Sequence, residues 1–113
     1  MKNKKQPDKE ALQITQRFAG LVKNQGVPIQ KVLLFGSRAK GNWHPWSDVD
    51  ICVVSPQFGK NTSEEMDLLL RLTVQLKSRL PVEPIPFAPN DLNDKFSSLA
   101  NEIRQHGISV ETK

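Results

Sequence analysis

Residues 34 to 54 read LFGSRAKGNWHPWSDVDICVV, and the order of residue types in this stretch decides the fold. The run Val32, Leu33, Leu34, Phe35 is too short for a stable helix and bulky enough for an interior strand, which Gly36 ends. Residues 36 to 47 predict a phosphate-sized turn, one helical turn through Arg38 to Lys40, and a loop held by Pro45. A second buried strand follows from Asp48 to Val54. Side chains alternate along a strand, so Asp48 and Asp50 share one face with Cα atoms roughly 6.6 Å apart at about 3.3 Å per residue. Val49, Ile51 and Val53 take the opposite, packed face.

Two carboxylates in that position need a partner. At ~4 Å they repel by roughly 1 to 4 kcal/mol, depending on the local dielectric, and a divalent cation reverses the sign of that energy. Hard oxygen ligands without a His or Cys cluster favour Mg²⁺ over Zn²⁺. Gly36 and Ser37 stand where a strand meets a helical turn, and a missing Cβ there lets phosphate oxygens approach the backbone amides. Arg38 follows directly and is expected to add a charged contact to phosphate, with Lys40 a weaker candidate. Gly36 and Gly41 have P-loop spacing, but Asn42 and Trp43 occupy the Lys and Ser/Thr positions, which excludes a Walker-type NTPase.

Outward from this stretch, Pro7 and Asp8 resemble a helix entry, and Ala11, Ile14, Phe18, Leu21 and Val22 recur at helical spacing until Gly26. On the other side, Thr62 and Glu65 have capping-box spacing, with Lys77 and Arg79 expected in the last turn of the helix they open. Met66, Leu69, Leu70, Leu76 and Leu80 supply its apolar face, and Pro81 stops it. Val82 to Phe87 predicts a third strand, placed at an edge because Pro84 and Pro86 cannot donate ladder hydrogen bonds. A last helix is expected over Asp91 to His106, with a break near Phe96 and with Leu92, Phe96, Leu99 and Ile103 inward. Ile108 and Val110 then form a short extended tail. Trp43 and Trp46 are expected to pack over the sheet end, and Cys52 to lie in the core.

The chain has 113 residues, with 16 Lys and Arg against 12 Asp and Glu. That length fits one domain with a core of its own. Lys2, Lys4 and Lys5 carry most of the excess charge, so residues 1–6 form a basic flexible tail and 7–113 a single, nearly neutral domain. Direct duplex binding is therefore discounted. One cysteine excludes an internal disulfide, and the longest aliphatic or aromatic runs, at four residues, are far short of a membrane span. The expectation is a cytoplasmic protein with no membrane association.

L-F-G-S-R-A-K-G followed by S-D-V-D-I-C-V-V resembles the G-S-x10-D-x-D signature of the minimal nucleotidyltransferases of the DNA polymerase β superfamily. V-E-P-I-P-F at 82 to 87 and E-I-R-Q-H-G-I at 102 to 108 are similar to that family's later strand and C-terminal helix. The resemblance implies an α/β (α+β) fold, a small mixed sheet of three or more strands flanked by helices. It implies ATP or another nucleoside triphosphate held by Gly36 and Ser37, and Mg²⁺, two ions, bound by Asp48, Asp50 and a third acid that falls at Glu83. Asp48, Asp50 and Glu83 would then be the catalytic residues. For Gly36 and Asp48 to meet one ligand, the first two strands should run antiparallel, and the second and third parallel.

Stand-alone members of this size resemble antitoxins that transfer AMP to a tyrosine on a HEPN-domain toxin, which implies such a partner and a homo- or hetero-oligomer. Two further functions fit the same motif. One is a non-catalytic nucleotide-binding module that neutralises its partner by docking. The other is a homodimeric nucleotidyltransferase acting on a small molecule such as an aminoglycoside.

Overall fold

The computed structural model describes residues 6–112, so the basic tail lies outside the described residues except for Gln6, which is exposed. Helix α1 covers Lys9–Asn24, with the Asp8 carboxylate accepting from the Glu10 N–H at 3.1 Å as its N-cap. It is followed by β1 (Lys31–Phe35), the single turn α2 (Ser37–Lys40) and β2 (Val49–Val54). Then come α3 (Thr62–Leu76), β3 (Val82–Phe87), α4 (Pro89–Leu92), α5 (Ser98–His106) and β4 (Ile108–Val110). The strands form one mixed sheet in the order β3-β2-β1-β4.

β1 pairs antiparallel with β2, and β2 pairs parallel with β3 across the α3 connection, as the placement of Gly36, Asp48 and Glu83 requires. The short tail at 108–110 is a fourth strand, paired antiparallel with the free side of β1. β3 is an edge strand. The Val49 N–H donates to the Pro81 carbonyl at 2.8 Å and the Ser55 N–H to the Phe87 carbonyl at 3.0 Å. In that register Glu83, Ile85 and Phe87 bond to β2, while Pro84 and Pro86 hold the outward positions where no donor is required.

Two helical layers enclose the sheet. Phe18 and Val22 of α1 and Leu69 and Leu72 of α3 pack on Val32, Leu34, Val49, Ile51 and Val53. On the other face Leu92 of α4 and Ile103 of α5 cover Leu33, Phe35, Cys52 and Val54. Arg17 of α1 donates to the Leu76 carbonyl at 2.7 Å, which caps the end of α3 and ties the two helices of the larger layer together.

Several local expectations are corrected. Asn61 rather than Thr62 caps α3, its side chain accepting from the Glu64 N–H at 3.2 Å. The Glu65 carboxylate instead gathers the N–H groups of Gly59, Lys60 and Asn61, folding the preceding turn back onto the helix. Neither Lys77 nor Arg79 lies in the last turn of α3: the helix ends at Leu76, and Lys77 follows it in the left-handed conformation at φ 52°. Leu72, absent from the expected apolar face, is buried, whereas Leu70 is 45% exposed. The expected break near Phe96 is present and separates α4 from α5 over residues 93–97, but Phe96 itself is 98% exposed rather than inward. Leu99, also expected inward, is 43% exposed.

Candidate active site

The site lies where β1 ends and β2 and β3 begin. Asp50 and Glu83 are paired across the parallel ladder and so project from the same face of neighbouring strands. Asp48 precedes β2 by one residue on that face. One carboxylate oxygen from each of Asp48, Asp50 and Glu83 lies within 4.8 Å of the other two. Asp48 and Asp50 are half-buried and Glu83 is exposed. Among the described residues, none of the three takes part in an ion pair.

The electrostatics follow from that geometry. Burial, and after it the neighbouring Glu83 and Asp48 charges, together push the Asp50 carboxyl up to about 6. A divalent cation held by these three carboxylates would offset their mutual repulsion. Three hard oxygen donors on rigid strand ends, without nitrogen or sulfur, fit Mg²⁺. The donor set therefore suits the metal that the motif implies.

Gly36 brings the other half of the motif to this point. It sits at φ 76°, ψ −159°, a conformation that only glycine adopts without strain. A Cβ built there would overlap Asp50 Oδ2. Both facts require glycine, and together they let the turn that carries Ser37 close against the acids.

Arg38 is placed elsewhere. It is 2% exposed, and its guanidinium donates to protein acceptors: Nε to the Ser47 carbonyl at 2.8 Å, Nη1 to Asp8 Oδ2 at 2.5 Å, and Nη2 to the His44 and Pro45 carbonyls at 3.2 Å each. These donors are engaged inside the protein rather than directed to the turn where phosphate is expected. Lys40 pairs with Glu102 of α5 at 3.0 Å. Trp46, expected to pack over the sheet end, is 75% exposed with its ring 4.8 Å from that of His44, and Trp43 is 37% exposed. Cys52 is buried in the core as expected, and burial pushes its thiol up to about 12.

A cleft of about 490 Å³ opens beside the acids. Asp50 and Glu83 lie at one side of it, and Phe35, Met66, Leu70, Val82, Ile85 and Leu99 supply apolar walls. This cleft was not foreseen from the sequence. Met66 and Leu70 stand four apart on α3, a spacing that marks a shared helix face but does not reveal whether that face is covered.

Residues 16–108 match the nucleotidyltransferase domain family, and the chain belongs to that family. It is a nucleotidyltransferase by family, a class of enzyme that uses a nucleoside triphosphate and divalent metal. Among solved structures, a toxin-antitoxin with AMP-PNP is 23% identical with a TM-score of 0.60, covering 93% of this chain and 74% of that one. A point variant of the toxin-antitoxin MntA-HpeT is 22% identical with a TM-score of 0.60, over 86% and 71% of the two chains. A Sulfolobus solfataricus protein assigned as a candidate nucleotidyltransferase is 22% identical with a TM-score of 0.55, over 93% and 89%. At these identities the shared property is the fold. No curated protein shows significant sequence similarity to the chain. Among the described residues, no helix is long and apolar enough to cross a membrane.

Proposed function

We propose that this protein transfers AMP from ATP to a hydroxyl group on a partner protein, a tyrosine of a HEPN-domain toxin, and acts as that toxin's antitoxin. The observation that carries the reading is the convergence of Asp48, Asp50 and Glu83 at one sheet end, with Gly36 closed against them. Membership of the nucleotidyltransferase family supports the reaction type, and the toxin-antitoxin context of two structures with the same fold supports the partner.

In the proposed reaction Gly36 and Ser37 hold the triphosphate, and Asp48, Asp50 and Glu83 hold Mg²⁺. A metal held by these three carboxylates would supply Lewis-acid activation of the acceptor oxygen and offset the charge on the leaving pyrophosphate. The acceptor oxygen attacks the α-phosphorus in line, so an O–P bond to the acceptor forms as the bond to pyrophosphate breaks. Glu83, the most exposed of the three acids, faces the acceptor and receives the hydroxyl proton. The apolar walls of the adjoining cleft suit an acceptor carried on a protein surface better than a polycationic sugar.

The test is incubation of the chain with Mg²⁺, ATP and a HEPN-domain protein encoded beside it. The expected result is a partner heavier by one AMP. A partner that is neutralised yet unmodified would show that docking alone suffices, and activity on an aminoglycoside would redirect the assignment to a small-molecule acceptor.

A further inference from the structure

The loop between Ser37 and Asp48 is organised around one buried cation, and that cation belongs to the turn on the far side of the loop. Arg38 directly follows the Gly36-Ser37 turn, yet its guanidinium spans to the carbonyls of His44, Pro45 and Ser47. Ser47 directly precedes Asp48. The loop also closes on itself: the Ser47 N–H donates to the His44 carbonyl at 3.0 Å, and the His44 N–H donates to Ser47 Oγ at 3.0 Å.

The cation has a fixed counter-ion. Asp8 accepts from Arg38 Nη1, and the Asp8 N–H donates to the Arg38 carbonyl at 2.9 Å. The other Asp8 oxygen caps α1, so this carboxylate is held by a 16-residue helix that packs into the core. A buried guanidinium is tolerated only when its charge is neutralised and its donors are matched, and here both conditions are met. Lysine would place a single ammonium where a planar fork now reaches four acceptors in different directions.

We infer that Arg38 is a positioning residue for the acid site: anchored by Asp8, it holds the 44–47 loop and thereby places Asp48 beside Asp50 and Glu83. The backbone at Asp48 is held from two sides. The Ser47 carbonyl on one side accepts from Arg38 Nε, and the Val49 N–H on the other donates to Pro81. Asp50 and Glu83 are held independently, by the β2–β3 ladder. Removal of the Arg38 fork therefore loosens one ligand of three. The inference rests on the reading of Asp48 as a metal ligand.

The chain contains two tryptophans, Trp43 and Trp46, and no tyrosine, so its intrinsic fluorescence reports on this loop alone. The experiment uses the full chain and compares wild type, Arg38→Lys and Asp8→Asn well below their melting temperatures. Three quantities are measured: tryptophan quenching by acrylamide, Mg²⁺–ATP affinity by calorimetry, and folded content by far-ultraviolet circular dichroism. Arg38→Lys is expected to quench more strongly and to bind Mg²⁺–ATP about 10- to 100-fold more weakly, the usual cost of losing a group that orients a metal ligand, with helical signal unchanged. Asp8→Asn removes the counter-charge, and its single amide oxygen can accept either from the Glu10 N–H or from the guanidinium; because the three carbonyl acceptors of Arg38 remain, both readouts should shift in the same direction by less. If Arg38→Lys fails to fold, Asp8→Asn decides by the same measurements. Wild-type affinity in a folded variant, even one with a lowered melting temperature, would falsify the positioning role and leave Arg38 as a stability element. A wild-type chain that does not bind Mg²⁺–ATP would instead overturn the reading of the acid site itself.

Discussion

On the face of the sheet that meets α1 and α3, Val32, Leu34, Val49, Ile51 and Val53 are all fully buried, whereas the face under α4 and α5 carries Asp50 and Glu83 beside Phe35 and Cys52. The same strand β2 supplies both sets of side chains by simple alternation. Burying each large aliphatic group on the first face stabilises the fold by roughly 1.5–3 kcal/mol. The second face gives up part of that gain, because its carboxylates repel one another and its cover is thinner: α4 has four residues and α5 nine, against 16 and 15 for α1 and α3. The difference teaches where this fold can host chemistry. One face is packed well enough for the other to stay open and charged.

The sharpest way to break the comparison is to alter each face and ask which property falls. Asp48→Asn and Asp50→Asn should each abolish AMP transfer while circular dichroism stays native, since these side chains hold charge rather than structure. Retained Mg²⁺–ATP binding by calorimetry in the double variant would remove the metal assignment. On the opposite face, Leu72→Ala leaves a cavity under α3 and should cost about 2–5 kcal/mol in urea unfolding, with the transfer rate of the folded fraction little changed. An equal loss of activity per folded molecule would mean the two faces are coupled.

Within the acid face, Glu83→Gln should slow transfer about 10- to 100-fold while leaving ATP affinity nearly intact, because the proposed role of this group is on the acceptor side. A matched loss of binding and rate would place Glu83 with Asp48 and Asp50 instead. A smaller effect concerns pH. Burial and its two acidic neighbours raise the Asp50 carboxyl from 3.8 to about 6, so the metal-free folded state holds this proton more tightly than the unfolded chain does. Stability of the metal-free protein should therefore fall as pH rises from about 4 to about 6, by roughly 1–2 kcal/mol once partial exposure of the group is allowed for. Asp50→Asn should flatten that slope in thermal melts, and Mg²⁺ should offset it in wild type. Deletion of residues 1–6 should matter least. The segment lacks apolar anchors, and ATP affinity is expected to stay within a few-fold.

Much of this architecture was legible in local sequence. The strand ending at Gly36 and the strand carrying Asp48 and Asp50 follow from bulky runs broken by glycine, and the pairing directions follow from requiring their ends to meet. Pro84 and Pro86 placed β3 at an edge, and the ladder shows why: alternate residues of that strand need no donor. Helix ends were less legible, because caps depend on short competitions between neighbouring side chains. Asn61 outcompetes Thr62 at the start of α3, and the free Glu65 carboxylate turns to three amides before it. The inward placement of Phe96 and Leu99 failed for a different reason, since periodicity marks an apolar face without showing whether anything covers it.

What the sequence by itself determined is the placing of candidate groups: two aspartates two apart on one face of a strand and a Gly-Ser turn before them, to which the family resemblance added the third acid at Glu83. The first two are short-range facts, set by alternation and spacing within single elements. What only the tertiary structure decided is the fate of groups whose partners lie far along the chain. Arg38 reads as a phosphate contact by its neighbours, yet Asp8, thirty residues away, draws it into the interior. Burial converts such a charge from a ligand-binding group into a structural one, and no local pattern records which carboxylate will be waiting for it.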